Sequence, residues 1–586
     1  RGCGPHLMPG RERRLKLGRH SARDWILFVV FLIICILLFG RLVNVQVVHN
    51  FEWSSEALKQ RTSSSTLPAQ RGTIYDRNGN VLAISVPAPT IVANPQLIED
   101  IDFTASILSQ ALDIDKETLV ERFEWGKENG SQFAYVKRGA TLQEGSAVRA
   151  IELSGIYFMD DTRREYPYGE VAGQIVGLCD ADGKGICGLE LYYDEVLRGT
   201  DGIYVAEMGE SGLPIPGGLI QDRPAVNGQD IMITIDIELQ YELEYAIARA
   251  AASENASSTS AVVMDASNGE ILAIASLPLF NPADTTDVEP GATTIWPVSI
   301  SYEPGSTFKG ISATALLDHD KAEPTTQIYC PVELYANDKV ITDADERGDV
   351  IMDLNRVIAI SSNVGISRMV QEYLGFHTLY RDIIRFGFTT ETGIDFPGEA
   401  SGYVDDYSDW TTVQAYNICF GQGISVTGLQ LVRFYGALAN GGVATTPHFL
   451  LTNVTTGQDA KFPTQQILLQ PSVADEMTGV LRHVVTEGTS WIANIPNYYV
   501  VGKSGTAEIF SGTEYLKDDY NRSFIGYLDD ASMPLVCYFC AQDVPYEGSV
   551  APSTFKTIMR AAIERLRVTS QWDGVETTVP GVEIEV

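Results

Sequence analysis

Three short motifs in the sequence carry side chains that could together cleave and transfer an acyl group. They are Ser306-Thr307-Phe308-Lys309, Ser361-Ser362-Asn363 and Lys503-Ser504-Gly505-Thr506. A serine hydroxyl becomes a good nucleophile when a base takes its proton, and a lysine held near other cations in a partly desolvated site can lose its own proton and act as that base. The motifs therefore predict a nucleophilic serine paired with a lysine base.

The first motif follows Pro304-Gly305, which signals entry into a helix. Residues three apart on a helix are neighbours on one face, so Ser306 and Lys309 are expected to lie side by side. The helix N-terminus also favours negative charge that develops at the serine.

The other two motifs would complete the same cleft. Ser361 and Asn363 follow a predicted helix over 353–360 and would supply a hydroxyl and an amide. Lys503 with its neighbouring hydroxyls can hold a carboxylate, and Gly505 permits close approach of a ligand to the backbone.

Each motif taken alone has a structural alternative without function. The first could be solvated helix surface, the second a helix cap, and the third a phosphate loop. The phosphate loop fails because Asn497 stands where that loop needs a glycine. The sequence also has no H-E-x-x-H zinc motif and no G-x-S-x-G elbow, so it gives no support to a metalloprotease or an α/β-hydrolase.

The patterns around the motifs predict the elements that must position them. Strands are expected at 231–235, 261–264, 271–275, 499–502, 523–528 and 535–541, and helices after the N-cap Asp236 and over 553–566. The Asn268-Gly269 pair predicts a hairpin between the two strands that flank it. The two hairpin strands and the three strands after 499 are separated by a long helical middle. Together they predict one five-stranded antiparallel sheet covered by helices. The preceding region, up to about 225, has short strand-like pieces and no chemical constellation.

An apolar run from Trp25 to Gly40, extended by Leu42 and Val43, predicts a single transmembrane helix. Basic residues crowd its N-terminal side: Arg1, Arg11, Arg13, Arg14, Lys16, Arg19 and Arg23. This asymmetry places the N-terminus inside and everything after about residue 49 outside the cytoplasm. A cleaved signal peptide is the alternative, but 41–50 contains no small-x-small cleavage site.

Composition excludes some classes of partner. The chain has 586 residues, 45% of them hydrophobic, and a formal charge of -34, so a nucleic-acid partner is not expected. The cysteines form no dense framework, and a Cys179–Cys187 bridge has no support beyond proximity in sequence. Cys537 and Cys540 lie in a strand-like run where alternation points them to opposite faces, which argues against a metal site.

The three motifs in this order form the signature of penicillin-binding proteins and serine β-lactamases, and the chain resembles the class B penicillin-binding proteins of the division and sporulation type. The resemblance extends to the opening box Arg71–Gly79, to Tyr166–Gly173, to Gly188-Leu189-Glu190 with Leu197-Arg198-Gly199, to Asp265–Ser276, to Phe396–Glu399 and to Gly421–Thr427. Gly310 after the motif lysine departs from the pattern. No complete wall-binding repeat follows the last helix, although Thr578–Val582 is faintly similar to the start of one.

The resemblance implies roles for the catalytic residues. Ser306 attacks the carbonyl of the penultimate D-alanine in a D-Ala-D-Ala stem peptide, with Lys309 as general base. Ser361 passes a proton to the leaving amine, and Asn363 orders Lys309 and the substrate amide.

The third motif is implied to bind substrate. Lys503, Ser504 and Thr506 hold the terminal carboxylate beside Gly505, and the backbone N–H groups of Ser306 and Thr506 form the oxyanion hole. No metal or organic cofactor is needed. An amine from a neighbouring stem peptide then resolves the acyl-enzyme.

The predicted fold class is α+β, with an N-terminal transmembrane helix, a mostly-β pedestal and a transpeptidase domain of the penicillin-binding and β-lactamase type. The expected segments are a cytoplasmic tail at 1–24, the anchor at 25–48, the pedestal at 49–225, the transpeptidase domain at 226–568 and a tail at 569–586. The implied partners are stem peptides, β-lactams and a membrane glycan polymerase of the shape, elongation, division and sporulation family, with a homodimer also compatible.

Three alternatives remain open at the level of sequence. One is a carboxypeptidase or β-lactamase on the same scaffold, which the large pedestal disfavours. The second is a β-lactam sensor, which usually has several membrane spans. The third is a non-catalytic division scaffold, which the intact motifs disfavour.

Overall fold

The structure is a computed structural model, and it describes residues 22–49, 62–208, 214–337, 339–510, 515–545, 548 and 550–572. Most of the predicted basic flank and the segment Thr578–Val582 lie outside the described residues. The chain forms two compact units, one made of 1–67 with 202–225 and the other of 68–201 with 226–586. The boundaries of the five predicted segments stay a prediction.

The first unit contains the apolar helix and a small sheet. Helix α1 spans Ala22–Val43, continues as a π-helical turn over Asn44–Val48, and buries none of its side chains. Its length and composition are sufficient to cross a membrane, as the run Trp25–Gly40 predicts. The sheet is antiparallel, in the order β1 (Thr62–Leu67), β10 (Gly202–Met208) and β11 (Pro214–Arg223).

The second unit begins with a mixed region over 68–201. Its strands are β2 (Ile74–Tyr75), β3 (Val81–Pro87), β4 (Thr90–Ala93), β5 (Ala134–Lys137), β6 (Ile156–Met159), β7 (Thr162–Glu165), β8 (Leu178–Cys179) and β9 (Gly185–Cys187). Its helices are α2 (Ile101–Leu112), α3 (Lys116–Glu128), α4 (Leu142–Arg149), α5 (Gly173–Val176), α6 (Gly188–Tyr192) and α7 (Asp194–Leu197), with a 3-10 turn at Pro95–Leu97. The sequence prediction of short strands missed α2 to α4, although Asp100 and Asp115 cap the first two of these helices.

The remainder of the unit carries the three motifs. Its helices are α8 (Ile237–Glu254), α9 (Trp296–Ser299), α10 (Lys309–Asp318), α11 (Leu354–Ala359), α12 (Asn363–Met369), α13 (Phe376–Arg385), α14 (Thr412–Cys419), α15 (Gly428–Ala439), α16 (Ser472–Thr486) and α17 (Val550–Leu566). A π-helical turn at Val370–Leu374 and 3-10 turns at Gly305–Phe308, Tyr407–Asp409 and Trp491–Ala493 accompany them. The short strands are β12 (Ile231–Ile233), β15 (Ser301–Tyr302), β16 (Gln327–Cys330), β17 (Leu334–Ala336), β18 (Lys339–Ile341), β19 (Val350–Asp353), β20 (Val426–Thr427), β21 (Val443–Thr445), β22 (Leu450–Asn453), β23 (Gln458–Asp459) and β24 (Thr464–Gln466).

The predicted five-stranded sheet is confirmed. Its strands are β13 (Ser258–Asp265), β14 (Ile271–Ser276), β25 (Tyr499–Phe510), β26 (Tyr515–Asp529) and β27 (Leu535–Val544). They pair antiparallel in the order β14-β13-β27-β26-β25, so the early hairpin joins the three late strands through β13 and β27. Helices α8 and α17 pack on one face and α15 on the other. Successive side chains of β27 point to opposite faces of the sheet. Cys537 therefore lies in the core beneath α8 and α17, and Cys540 lies in the core on the other face.

Local signals in the sequence predicted some ends of these elements and missed others. Asp236 caps α8 by accepting a hydrogen bond from Leu239 N, as predicted. Gly269 has φ of +92° in the predicted hairpin turn, and a Cβ there would lie 2.3 Å from Thr446 O. Strand β25 is longer than predicted, because pairing with β26 continues through the third motif. Helix α17 begins at Val550, three residues earlier than predicted.

Two boxes of the resemblance meet in a buried ion cluster within the second unit. Arg71 donates to both Glu190 and Asp194, and Arg164 donates to Glu190 at 2.7 Å. Glu190 is fully buried, so its charge is compensated by the two guanidinium groups. The opening box and the Gly188-Leu189-Glu190 box are therefore held against each other. Nearby, Cys179 and Cys187 are both free thiols in this structure.

Candidate active site

The structure brings the eight predicted site residues together in one cleft of about 860 Å³. Seven line its wall: Ser306, Lys309, Ser361, Asn363, Ser504, Gly505 and Thr506. The eighth, Lys503, is fully buried just behind that wall. The three motifs are far apart in sequence, so the sheet and the helices around it create the site.

A single 3-10 turn over Gly305–Phe308 presents the nucleophile, and α10 begins at Lys309. Side chains three residues apart eclipse each other in such a turn, so Lys309 Nζ lies 2.8 Å from Ser306 Oγ. Gly305 has φ of +56°, and a Cβ there would lie 2.7 Å from Thr506 O. Glycine at this position therefore lets the serine turn pack directly against β25.

The Lys309 ammonium is almost completely withdrawn from water, with 1% of the residue exposed. It donates to Ser306 Oγ, to Ser361 Oγ at 3.0 Å and to Ser361 O. Desolvation lowers its pKa well below the usual value, and the charge of Lys503 lowers it further, while Asp343 opposes both. A lysine in this environment can exist in the neutral form that accepts the serine proton.

Ser361 connects the two buried lysines. Its Oγ accepts hydrogen bonds from Lys309 and from Lys503, each at 3.0 Å. Lys503 also donates to Ser504 O at 2.9 Å, and burial lowers its pKa to about 7. Ser361 has φ of +60°, a strained conformation for a residue other than glycine, and strain of this kind concentrates at functional sites. The hydroxyl of Ser361 is thus fixed between two potential proton donors.

Asn363 bonds a loop of the cleft and not the lysine that it was predicted to order. Its amide nitrogen donates to Thr342 O at 2.9 Å, and among the described residues its amide oxygen accepts no hydrogen bond from Lys309. Asp343, one residue further along that loop, accepts hydrogen bonds from Ser362 Oγ and Val364 N. These contacts hold the loop around 342–345 against the second motif and make it one wall of the cleft.

The glycine of the third motif is required by the protein itself. A Cβ at Gly505 would lie 2.5 Å from Ser523 Oγ and 3.0 Å from Pro304 O. The sequence interpretation that Gly505 makes room for a ligand is therefore incomplete, because Ser523 of β26 and the backbone that leads into the serine turn already occupy that space. Ser504 and Thr506, on alternate positions of β25, are partly exposed to the cleft.

The unusual Gly310 also has a steric explanation. A Cβ at Gly310 would lie 2.4 Å from Tyr435 Oη, and this buried hydroxyl donates to Thr307 O at 2.7 Å. Tyr435 thus secures the backbone of the serine turn, and glycine leaves space for it. Sequence reasoning identified the departure but could not find its partner on α15.

Other residues of the cleft were not predicted from the sequence. They are Asp343 and Asp345 on the loop, Thr489 before β25, Glu508 on β25, and Tyr520 and Arg522 on β26. The signal for Glu508 was available, since it follows Ser504 and Thr506 at the two-residue period of a strand. The others reach the cleft through tertiary contacts that local patterns do not encode.

The comparisons with known proteins agree with this geometry. Residues 259–560 match the model of the penicillin binding protein transpeptidase domain, and residues 66–233 match that of the penicillin-binding protein dimerisation domain. Stage V sporulation protein D of Bacillus subtilis is 29% identical over 96% of this chain and 89% of its own length. Peptidoglycan D,D-transpeptidase FtsI of Escherichia coli is 26% identical over 91% of this chain and 90% of its own.

Solved structures give the same result. The crystal structure of penicillin-binding protein 3 from Mycobacterium tuberculosis in complex with aztreonam superimposes with a TM-score of 0.66 at 26% identity, covering 86% of this chain and 97% of that one. The chain belongs to the penicillin-binding proteins, and within them to the class B proteins of the division and sporulation type.

Proposed function

We propose that this chain is a peptidoglycan D,D-transpeptidase that cross-links stem peptides through a serine acyl-enzyme during septal wall synthesis in division or sporulation. The observation that carries the proposal is the position of Lys309 Nζ, 2.8 Å from Ser306 Oγ in a site that lowers the pKa of the lysine. The transpeptidase model match and the names of the relatives support the same reaction.

The geometry supports an acylation in which each proton that is removed has an acceptor in the site. The proton of Ser306 Oγ passes to neutral Lys309 Nζ as Oγ attacks the carbonyl carbon of the penultimate D-alanine. The backbone N–H groups of Ser306 and Thr506 stabilise the negative charge that forms on the carbonyl oxygen. When the C–N bond breaks, the departing amine of the terminal D-alanine takes a proton from Ser361 Oγ, and a buried lysine ammonium replaces that proton.

The second half of the reaction reverses the proton movements. The amine of an acceptor stem peptide attacks the ester carbonyl and loses a proton to the lysine and serine pair. The Ser306 Cβ–Oγ alkoxide then leaves and is reprotonated by Lys309, so the enzyme returns to its starting state. Asn363 lines the cleft where it can contact the donor peptide. Ser504 and Thr506 hold the terminal carboxylate, and the charge of Lys503 behind the cleft wall attracts it. Gly505 keeps that strand close to the serine turn.

The rest of the chain serves this reaction at the membrane. Helix α1 is the single-pass anchor, with the N-terminus inside and the chain after about residue 49 outside the cytoplasm. The region 49–225 is a non-catalytic pedestal domain, 226–568 is the catalytic domain, and 1–24 and 569–586 are tails. The chain works beside a glycan polymerase of the shape, elongation, division and sporulation family. The dimerisation-domain match supports pairing of two copies.

Labelling of the full-length protein in detergent with a fluorescent penicillin tests the proposal. We expect one stable covalent band, and Ser306→Ala should reduce the acylation rate by at least about a thousandfold. Ser299→Ala, which changes a serine outside the cleft, should label like the unmodified chain. Rapid loss of label with turnover of the drug would instead indicate a β-lactamase or carboxypeptidase, and no label on folded protein would favour a scaffold.

A further inference from the structure

Glu508 is a carboxylate in the cleft for which the proposed acylation steps give no role. It lies on β25 two residues beyond Thr506 and is partly exposed, whereas its neighbour Ala507 is buried. Among the described residues it makes no ion pair and no side-chain hydrogen bond. A half-buried carboxylate without a cation loses part of its hydration without compensation, so the site favours an incoming positive charge.

The order of groups along β25 shows which part of a substrate would reach Glu508. In the proposed mode of binding, Ser504 holds the terminal carboxylate and the backbone of Thr506 faces the reacting carbonyl. A strand rises about 3.3 Å per residue, so Glu508 lies roughly 7 Å beyond the reacting carbonyl on the side of the residues that precede it in the donor peptide. The side chain of the residue before the two D-alanines falls within this distance.

The other charged side chains of the cleft neither form an ion pair with Glu508 nor take the role proposed for it. Arg522, opposite Thr506 on β26, is only 7% exposed and thus presents little of its charge to solvent. Asp343 accepts hydrogen bonds from the second motif and pairs with Arg347. Asp345 is exposed on the opposite wall of the cleft, formed by the loop around 342–345. Glu508 is the cleft carboxylate that lies on the same strand as the carboxylate-binding hydroxyls.

We propose that Glu508 is a specificity-determining residue that binds a primary amine on the side chain of the donor residue preceding D-Ala-D-Ala. The proposal rests on the transpeptidase function above and narrows its donor to a stem peptide with a diamino acid at that position. The contact is a charge-assisted hydrogen bond, which is stronger than a neutral one and depends on the charge of both partners.

The test uses two penicillins that compete with the fluorescent probe for the full-length protein. One has a 6-acylamino side chain that ends in a primary amine at lysine length, and the other is its N-acetyl derivative, which has no positive charge. We expect the amine to acylate the unmodified protein about tenfold faster than the acetylated compound. In Glu508→Gln this preference should fall to within about twofold, because the rate for the amine should fall toward the rate for the acetylated compound.

Asp345→Asn is the matched control, because it removes one negative charge from the opposite wall of the same cleft. It should retain the amine preference. The inference is overturned if the unmodified protein shows no preference, if Glu508→Gln retains it, or if Asp345→Asn loses it equally, since the last result would mean a diffuse negative potential. Absence of acylation by either compound would contradict the proposed function itself, and acylation without preference would contradict only this inference.

Discussion

At the scale of single residues, the reactivity of Ser306 depends on which of the two buried lysines, Lys309 or Lys503, is neutral and which carries the positive charge. Lys309 and Lys503 share Ser361 Oγ as a hydrogen-bond acceptor, and both have lowered pKa values because they are desolvated. Two cations this close titrate as a coupled pair. The neutral member of the pair can serve as the base, while the charged member keeps the cleft attractive to a carboxylate.

This arrangement predicts the pH dependence of acylation. Acidification protonates Lys309, so the acylation rate should fall as the pH is lowered. Asp343 raises the pKa of Lys309 by favouring the charged form. Removing that charge in Asp343→Asn should lower the pKa of Lys309, leave more neutral lysine at a given pH, and move the acidic limb of the acylation profile to lower pH.

The measurement is the second-order rate of penicillin acylation from about pH 5 to 9. Asp345→Asn is the control, because Asp345 is not among the groups that shift the pKa of Lys309. Thermal unfolding must accompany the kinetics, since Asp343 also accepts backbone and hydroxyl hydrogen bonds. A limb that stays in place or moves to higher pH would contradict this role of Asp343.

Residue types and spacing made the eight site residues candidates, and the order of the three motifs distinguished them from a helix surface or a helix cap. The same reasoning could not predict that Asn363 bonds Thr342, or that Tyr435 reaches the serine turn. Both depend on the position of a loop or a helix that is distant in sequence. Glu508 is intermediate between the predictable and the unpredictable residues. The two-residue period of the strand places it on the same face as Ser504 and Thr506, but the sequence could not show that it has no ion-pair partner among the described residues.

At the scale of elements, the edge of the five-stranded sheet is closed by two glutamine side chains. Gln240 of α8 accepts from Ile274 N and donates to Ile274 O, at 2.9 and 2.8 Å. Gln174 of α5 does the same for Ser276, at 3.0 and 2.9 Å. Each amide therefore takes the place of a residue in a neighbouring strand, and β14 is not left open for pairing with another chain.

Gln240→Ala and Gln174→Ala should each lower the free energy of unfolding by about 1 to 3 kcal/mol, because each leaves a buried N–H and C=O of β14 without a partner. Gln143→Ala, at an exposed position on α4, should change it by less than about 0.5 kcal/mol. Chemical denaturation of the three variants measures these differences. If the buried variants behave like Gln143→Ala, water or a backbone shift satisfies the strand edge instead.

Elements were predictable to different extents for a physical reason. The strands of the five-stranded sheet have a continuous apolar pattern and clear turn residues, so their number and the hairpin between the first two followed from sequence. Helices α2 to α4 have exposed, polar faces and short apolar stripes, and the prediction of a mostly-β pedestal overlooked them. The signals present in the sequence were the aspartate caps of α2 and α3 and the capping box of Thr141 and Glu144 at the start of α4.

At the scale of the whole molecule, the predicted boundary at 225 and 226 crosses a shared sheet within the second unit. Its strand order is β23-β22-β12-β2-β3-β7, so β12 lies between strands from either side of that boundary. Ile231 of β12 pairs in parallel with Ile74 of β2, and both side chains are fully buried. Sequence patterns identified strand 231–235 but could not predict its partner, because parallel pairing joins segments more than a hundred residues apart.

A chain that begins at residue 226 should therefore fail to fold as an independent catalytic domain. It would expose one edge of β12 and the apolar surface that Ile74, Leu82 and Leu189 cover in the same core as Ile233. Exposed strand edges and apolar patches of this kind promote aggregation. We expect such a fragment to elute as aggregates in size-exclusion chromatography and to label with penicillin at least about tenfold less than a chain that begins at residue 68. A soluble fragment that unfolds in one cooperative transition and labels at the rate of the longer chain would show instead that the shared sheet is dispensable, and that the predicted boundary is a true domain limit.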